Sequence, residues 1–108
     1  MAVIDIANND NGSKRWETLT ASDTGEPLKL TSGGAQVAVH ALGTFGGTVT
    51  MQGTIDGTNW FTLLDSPGGS EVSFIAAGYA EISTAVQAIR PSAGSGVSDV
   101  DVHVSVFN

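Results

Sequence analysis

The sequence predicts an all-β fold, a single antiparallel β-sandwich or jelly-roll-like domain of about eight short strands. Three observations predict it. Apolar and polar residues alternate with a period of two in several runs, turn-forming residues fall between those runs, and no run of convincing length has helical periodicity.

The clearest run is at the C-terminus. Val100, Val102, Val104 and Val106 point one way, and Asp101, His103 and Ser105 the other, as in a strand with one buried face. A second run, Gly47 to Ile55, places Val49, Met51 and Ile55 on one face and Thr48, Thr50, Gln52 and Thr54 on the other. Gly53 interrupts its apolar row, which marks a bulge or a close approach. In a third run Val37, Val39 and Ala41 oppose Ala38, His40 and Leu42, so both faces are apolar apart from His40. Shorter candidates are Leu28 to Thr31, Trp60 to Leu64, Glu71 to Ile75, Ala80 to Ser83 and Val86 to Pro91, with Met1 to Ile6 as an edge strand. Turns are expected at Ser32-Gly33-Gly34, Thr44-Phe45-Gly46-Gly47, Asp56-Gly57-Thr58-Asn59, Ser66-Pro67-Gly68-Gly69 and Ala93-Gly94-Ser95-Gly96. Ala76-Ala77-Gly78-Tyr79 can form one helical turn. Residues 1–15 read as an N-terminal arm or edge strand, and 16–108 as the sandwich.

Composition narrows the function. The chain has 108 residues, 41% hydrophobic and only 14% charged, against a usual charged share of about 25%. A chain packed among neighbours needs less surface charge than a solitary one. With 11 acidic and 4 basic residues the net charge is −7. Lys14, Arg15, Lys29 and Arg90 cannot line a nucleic-acid backbone, and an anionic membrane repels the chain. There is no cysteine, hence no disulfide and no thiolate metal site. No secretory signal or membrane-spanning run is recognisable, so synthesis in a cytoplasm without export is expected.

No catalytic apparatus stands out. His40 and His103 are the two histidines; Asp101 shares a strand face with His103, but dense metal-ligand spacing is lacking. Asp56-Gly57-Thr58-Asn59 offers oxygens to calcium but lacks the alternating acids of an EF-hand loop, so a hairpin turn is the better reading. The remaining acids are scattered, and neither a nucleophile elbow nor a phosphate-binding loop is present. The chain is read as no enzyme, with no cofactor and no metal. Trp16, Trp60 and Tyr79 are the candidate contacts for a partner or a glycan; packing in the core or an interface is the better reading for Trp60 than an exposed platform for sugar rings, and Trp16, beside Lys14 and Arg15, suits docking on a neighbour.

The stretch Gly43-Thr44-Phe45-Gly46-Gly47-Thr48-Val49-Thr50-Met51-Gln52-Gly53-Thr54-Ile55-Asp56-Gly57-Thr58-Asn59-Trp60 resembles a segment of small structural proteins of tailed bacteriophages. Phe74-Ile75-Ala76-Ala77-Gly78, Ile89-Arg90-Pro91, Trp16 and Ala21-Ser22-Asp23-Thr24-Gly25-Glu26-Pro27-Leu28 follow the same pattern. Ala88 and Thr54 depart from it, where a larger residue and a serine are more usual. The resemblance implies a head decoration (cement) protein, a sandwich on the outer capsid surface of the virion. Its implied partners are the major capsid protein and itself, as a homotrimer, and residues 1–16 become a candidate for ordering on docking. The alternative is a carbohydrate-binding or adhesin module of a tail or head fibre, with Trp60, Phe61 and Tyr79 stacking on glycans. A tail-tube subunit is disfavoured because it needs a long hairpin.

Overall fold

The computed structural model describes residues 2–9, 13–30, 36–65, 69–82 and 86–107, with the backbone alone at 107. Twelve strands and no helix occur among them: β1 Val3–Ile4, β2 Ile6–Asn8, β3 Lys14–Leu19, β4 Thr24–Gly25, β5 Leu28–Lys29, β6 Gln36–Thr44, β7 Val49–Thr54, β8 Trp60–Thr62, β9 Ser73–Phe74, β10 Gly78–Ile82, β11 Ala88–Ala93 and β12 Asp99–Phe107. They form two sheets. One runs β10-β6-β12-β3-β2; the other runs β1-β4-β11-β7-β8, with β5 also on β11 and β9 also on β7. Every described pairing is antiparallel except β1 with β4.

Valine alternation builds the centre of the five-stranded sheet. β6 and β12 pair along their whole length, from Asp99 opposite Thr44 to Phe107 opposite Gln36. Val37, Val39, Val100, Val102 and Val104 are buried on the inner face. They meet Val49, Met51 and Ile89 of the other sheet in one core. Val106 points inward as expected but is half exposed near the strand's open end.

A bulge in β3 supplies the largest core side chain. Val102 pairs with Trp16 and Val100 with Leu19, so two residues, Glu17 and Thr18, stand opposite Asp101. Thr18 has φ 58°, and its N–H donates to Asp101 Oδ1 at 2.9 Å. A regular strand would aim Trp16 and Leu19 at opposite faces; the extra residue turns both inward. Trp16 is fully buried, and its indole N–H donates to the Glu26 carbonyl at 2.9 Å. The ring lies on Gly25, where a Cβ would fall 2.6 Å from Trp16 Cδ1 and would also strike the Pro91 ring.

One end of the sandwich is tied by Asp23. Its buried carboxylate accepts from the N–H of Ala2 (3.0 Å) and from the N–H (2.9 Å) and hydroxyl (2.8 Å) of Thr20. Its own carbonyl accepts the Ala93 N–H at 2.7 Å. The Thr20 bonds hold this carboxyl below the usual carboxylate range. At the same end Gly46 and Gly96 bring two loops together, since a Cβ on Gly46 would stand 2.6 Å from the Gly96 carbonyl oxygen.

Several expectations are corrected. The all-β sandwich stands as expected, with twelve strands where about eight were expected. β1, β5 and β9 fall in predicted runs, whereas β2, β3 and β4 were not predicted as strands, because β2 and β4 are only three and two residues long and the bulge at Glu17–Thr18 breaks the alternation of β3. Ala76-Ala77-Gly78-Tyr79 is no helical turn: the chain bends at 75–77 and Gly78 opens β10, where pairing with β6 claims the backbone. β7 ends at Thr54, so Ile55 leaves the apolar row and is 63% exposed in the following bend. Thr54, assigned to the polar face, is fully buried. The turn at Ser32-Gly33-Gly34, most of that at Ser66-Pro67-Gly68-Gly69, and Ser83 lie outside the described residues. Residues 2–9 form edge strands of both sheets, β1 on one and β2 on the other.

Two outcomes follow from this packing. Gly25→Ala should lower stability by about 1–3 kcal/mol, because neither Trp16 nor Pro91 can retreat from a new methyl; urea unfolding measures it. Asp23 contributes stability in full above its ordinary pKa of 3.8, and that contribution is lost as pH falls from there through the lowered folded pKa. Asp23→Asn should therefore flatten the stability profile below about pH 4, as read by denaturation at stepped pH.

Candidate functional site

The β7–β8 connection is ordered by one carboxylate. Asp56 Oδ1 accepts from the backbone N–H of Thr58 and Asn59, both at 2.8 Å, and Oδ2 accepts from the Asn59 amide at 2.7 Å. Thr54 Oγ1 accepts the Gly57 N–H at 2.9 Å and donates to Asp56 Oδ1 at 3.1 Å. Gly57 takes φ 83°, a conformation that suits glycine. The backbone bonds from Asn59 and Thr58 hold the Asp56 carboxyl far below the usual range. Both carboxylate oxygens already have donors within the turn, which is the hairpin role expected of it.

This turn delivers Trp60 onto the outer face of the seven-stranded sheet. Trp60 pairs with Thr54, Thr54 with Ala88, and Ala88 with Lys29, so one row crosses β8, β7, β11 and β5. The next row carries Thr62, Gln52 and Arg90. Arg90 Nε donates to Gln52 Oε1 at 2.9 Å, and the guanidinium stands 4.0 Å from the Trp60 ring centroid, a cation–π contact. Along the first row runs a groove of about 530 Å³, with Trp60, Lys29, Leu30, Gln87 and Ala88 among its walls.

The outer face of the five-stranded sheet carries a different set. His40 and His103 are directly opposite one another, flanked by Tyr79 on β10 and Arg15 on β3. His103 Nδ1 is 3.4 Å from the Asn9 amide nitrogen. Arg15 is paired with Glu17 at 2.5 Å. The Tyr79 hydroxyl donates to Glu81 at 2.8 Å, which raises its pKa. Asp101, which shares this face with His103, is engaged by the Thr18 N–H. Among the described residues no group of three or more His, Asp or Glu side chains is placed to hold a metal ion.

The three aromatic candidates thus part company. Trp16 is core and offers no surface to a neighbour, because the β3 bulge turns it inward. Trp60 is half-buried at the groove, and Tyr79 is exposed on the other sheet. Phe61, next to Trp60 in β8, points to the opposite face. Trp60, Phe61 and Tyr79 make no common platform. The sequence reading missed Lys29, Gln87 and Arg90 as companions of Trp60. Only strand pairing brings them together, and no local spacing signals it.

A two-sheet β-sandwich with a groove on one outer face is the class this architecture defines. No family model matches the chain, and no curated protein does. Among solved structures it is similar to the SPBc2 prophage-derived protein YomS, with a TM-score of 0.68 and 13% identity over 88% of this chain and 93% of that one. It is also similar to PliG of Aeromonas hydrophila, a periplasmic inhibitor of g-type lysozyme, with a TM-score of 0.56 and 14% identity over 99% and 100% of the two chains. The module CBM32-3, from a family 31 glycoside hydrolase of Clostridium perfringens, aligns at a TM-score of 0.43 with 12% identity over 91% and 76%; so slight a likeness carries no argument. At these identities what is shared is the sandwich fold.

Asp56→Ala should loosen the turn and with it the indole. The expected result is a lower melting temperature and a red-shifted Trp60 emission, with Trp16 still buried, measured by fluorescence during a thermal ramp.

Proposed function

We propose that this chain is a virion structural protein of a bacteriophage, which decorates and stabilises the outer capsid surface by bridging capsomers as a homotrimer. In this reading it performs no chemistry of its own, and its partners are the major capsid protein and its own copies. The observation that carries the reading is the state of the sheet edges. Solitary sandwiches guard their edge strands with charge, above all lysine. Here three of the four terminal strands carry exposed apolar side chains instead: Val3 on β1 (64%), Phe61 on β8 (41%) and Tyr79 on β10 (61%).

Such edges suit a subunit that is covered on several sides. Each contact can be modest when one oligomer engages several capsomers together, because the second and third attachments benefit from a high effective concentration. The low share of charged residues agrees with this. The fold likeness to a prophage-derived protein supports a phage setting.

A second reading, a carbohydrate-binding or adhesin module of a tail or head fibre, is favoured by the groove beside Trp60. Copy number separates the two. Quantitative mass spectrometry of purified particles should give a molar ratio to the major capsid protein near parity or a large simple fraction of it, and sedimentation of the isolated chain should give a trimer. A handful of copies per particle would sink the capsid reading and leave the fibre module.

A further inference from the structure

We propose that the groove beside Trp60 binds an acidic saccharide, a pyranose ring that carries a carboxylate. The inference deepens the second reading above and does not depend on where in a particle the chain resides.

The groove, about 530 Å³, lies within the roughly 300–1,000 Å³ of small-ligand sites, with room for a short saccharide. Its aromatic wall is prearranged. Arg90, held by Gln52, stands over the Trp60 ring, and the Asp56 turn fixes the backbone just before it. Trp60 lines the groove and Arg90 does not, so the indole surface that meets the groove is one the guanidinium leaves uncovered. A flat, fixed indole suits the C–H face of a pyranose, since little side-chain entropy remains to be lost on binding. The floor is made of small or buried groups, Ala88 and Thr54, which leaves the ring space to lie along the row.

The polar groups fix the ligand class. Lys29 and Gln87 make no side-chain hydrogen bond or ion pair among the described residues, so both keep donors free for a ligand. Among the described residues that line the groove, Lys29 is the one charged side chain and none is a carboxylate. In a chain of net charge −7, this groove is a locally cationic place, and Arg90 behind the indole adds to it. An anionic sugar is complementary to that field; a polyanion is repelled by the rest of the surface.

The test uses the full chain and two probes at low ionic strength, a glucose trimer whose terminal ring is oxidised to a glucuronic acid and so carries one carboxylate, and the neutral glucose trimer of the same length. Binding is followed by calorimetry and by tryptophan emission, in which Trp60 is the responsive residue because Trp16 is buried. The acidic trimer should bind roughly two- to fivefold more tightly than the neutral one, the scale of a single exposed charge pair. Lys29→Gln should remove that preference and leave the neutral trimer's affinity unchanged. Trp60→Ala should weaken both by about tenfold, and Trp60→Phe, which keeps an aromatic wall and guards against a folding defect, should retain part of the affinity. The proposal is overturned if neither trimer gives heat or an emission change, if Trp60→Ala binds like the parent, or if Lys29→Gln keeps the acidic preference. None of these results alters the copy number on a particle, so this proposal and the capsid reading fail separately.

Discussion

The contact between Trp16 and Gly25 is the constraint on which the rest of the sandwich depends. Trp16 belongs to β3 of the five-stranded sheet, and its ring lies on β4 and Pro91 of the seven-stranded one. An indole can occupy that position only because Gly25 has no Cβ and because the Glu26 carbonyl accepts its N–H. A buried indole without such an acceptor would forfeit much of its gain from burial. The bulge at Glu17–Thr18 is the geometric precondition, since it aims Trp16 and Leu19 at the same core. Thr18 adopts an unfavourable backbone region for a β-branched residue, and Asp101 on the next strand holds it there.

From this anchoring the outer surfaces inherit their character. The seven-stranded sheet buries Met51, Ile89 and Val49 on one side and presents mainly hydroxyl, amide and small side chains on the other. Lys29 and Arg90 are its two basic groups on that face, one in the Trp60 row and one in the next. The five-stranded sheet presents imidazole, phenol and paired charges instead. The two outer faces therefore differ in chemistry.

Stability and exposure divide between ends and edges. Asp23 and the Gly46–Gly96 approach close one end with backbone hydrogen bonds and tight loop contact. Three of the four terminal strands, by contrast, carry exposed apolar side chains, and an open apolar edge invites pairing.

How much of this was legible in the sequence depends on the range of the interaction. Valine alternation in β6 and β12 could be read directly, because side-chain direction in a strand is a local, period-two property. The Asp56 turn was legible for the same reason: its carboxylate bonds the backbone two and three residues on. The class of fold followed from these. The inward turn of Trp16 was not legible, since it needs an extra residue opposite Asp101, 85 positions away by numbering (101 less 16). The exposure of Ile55 depended on where β7 stops, which Thr54 and the turn decide together. The meeting of Lys29, Thr54, Trp60 and Ala88 in one row depended on the register of four strands. The sequence by itself determined the class of fold, the longer alternating strands, the Asp56 turn and which valines face inward, all set by neighbouring residues. Only the tertiary structure decided which tryptophan is core and which is surface, because register and sheet packing are set by bonds between residues far apart in the chain.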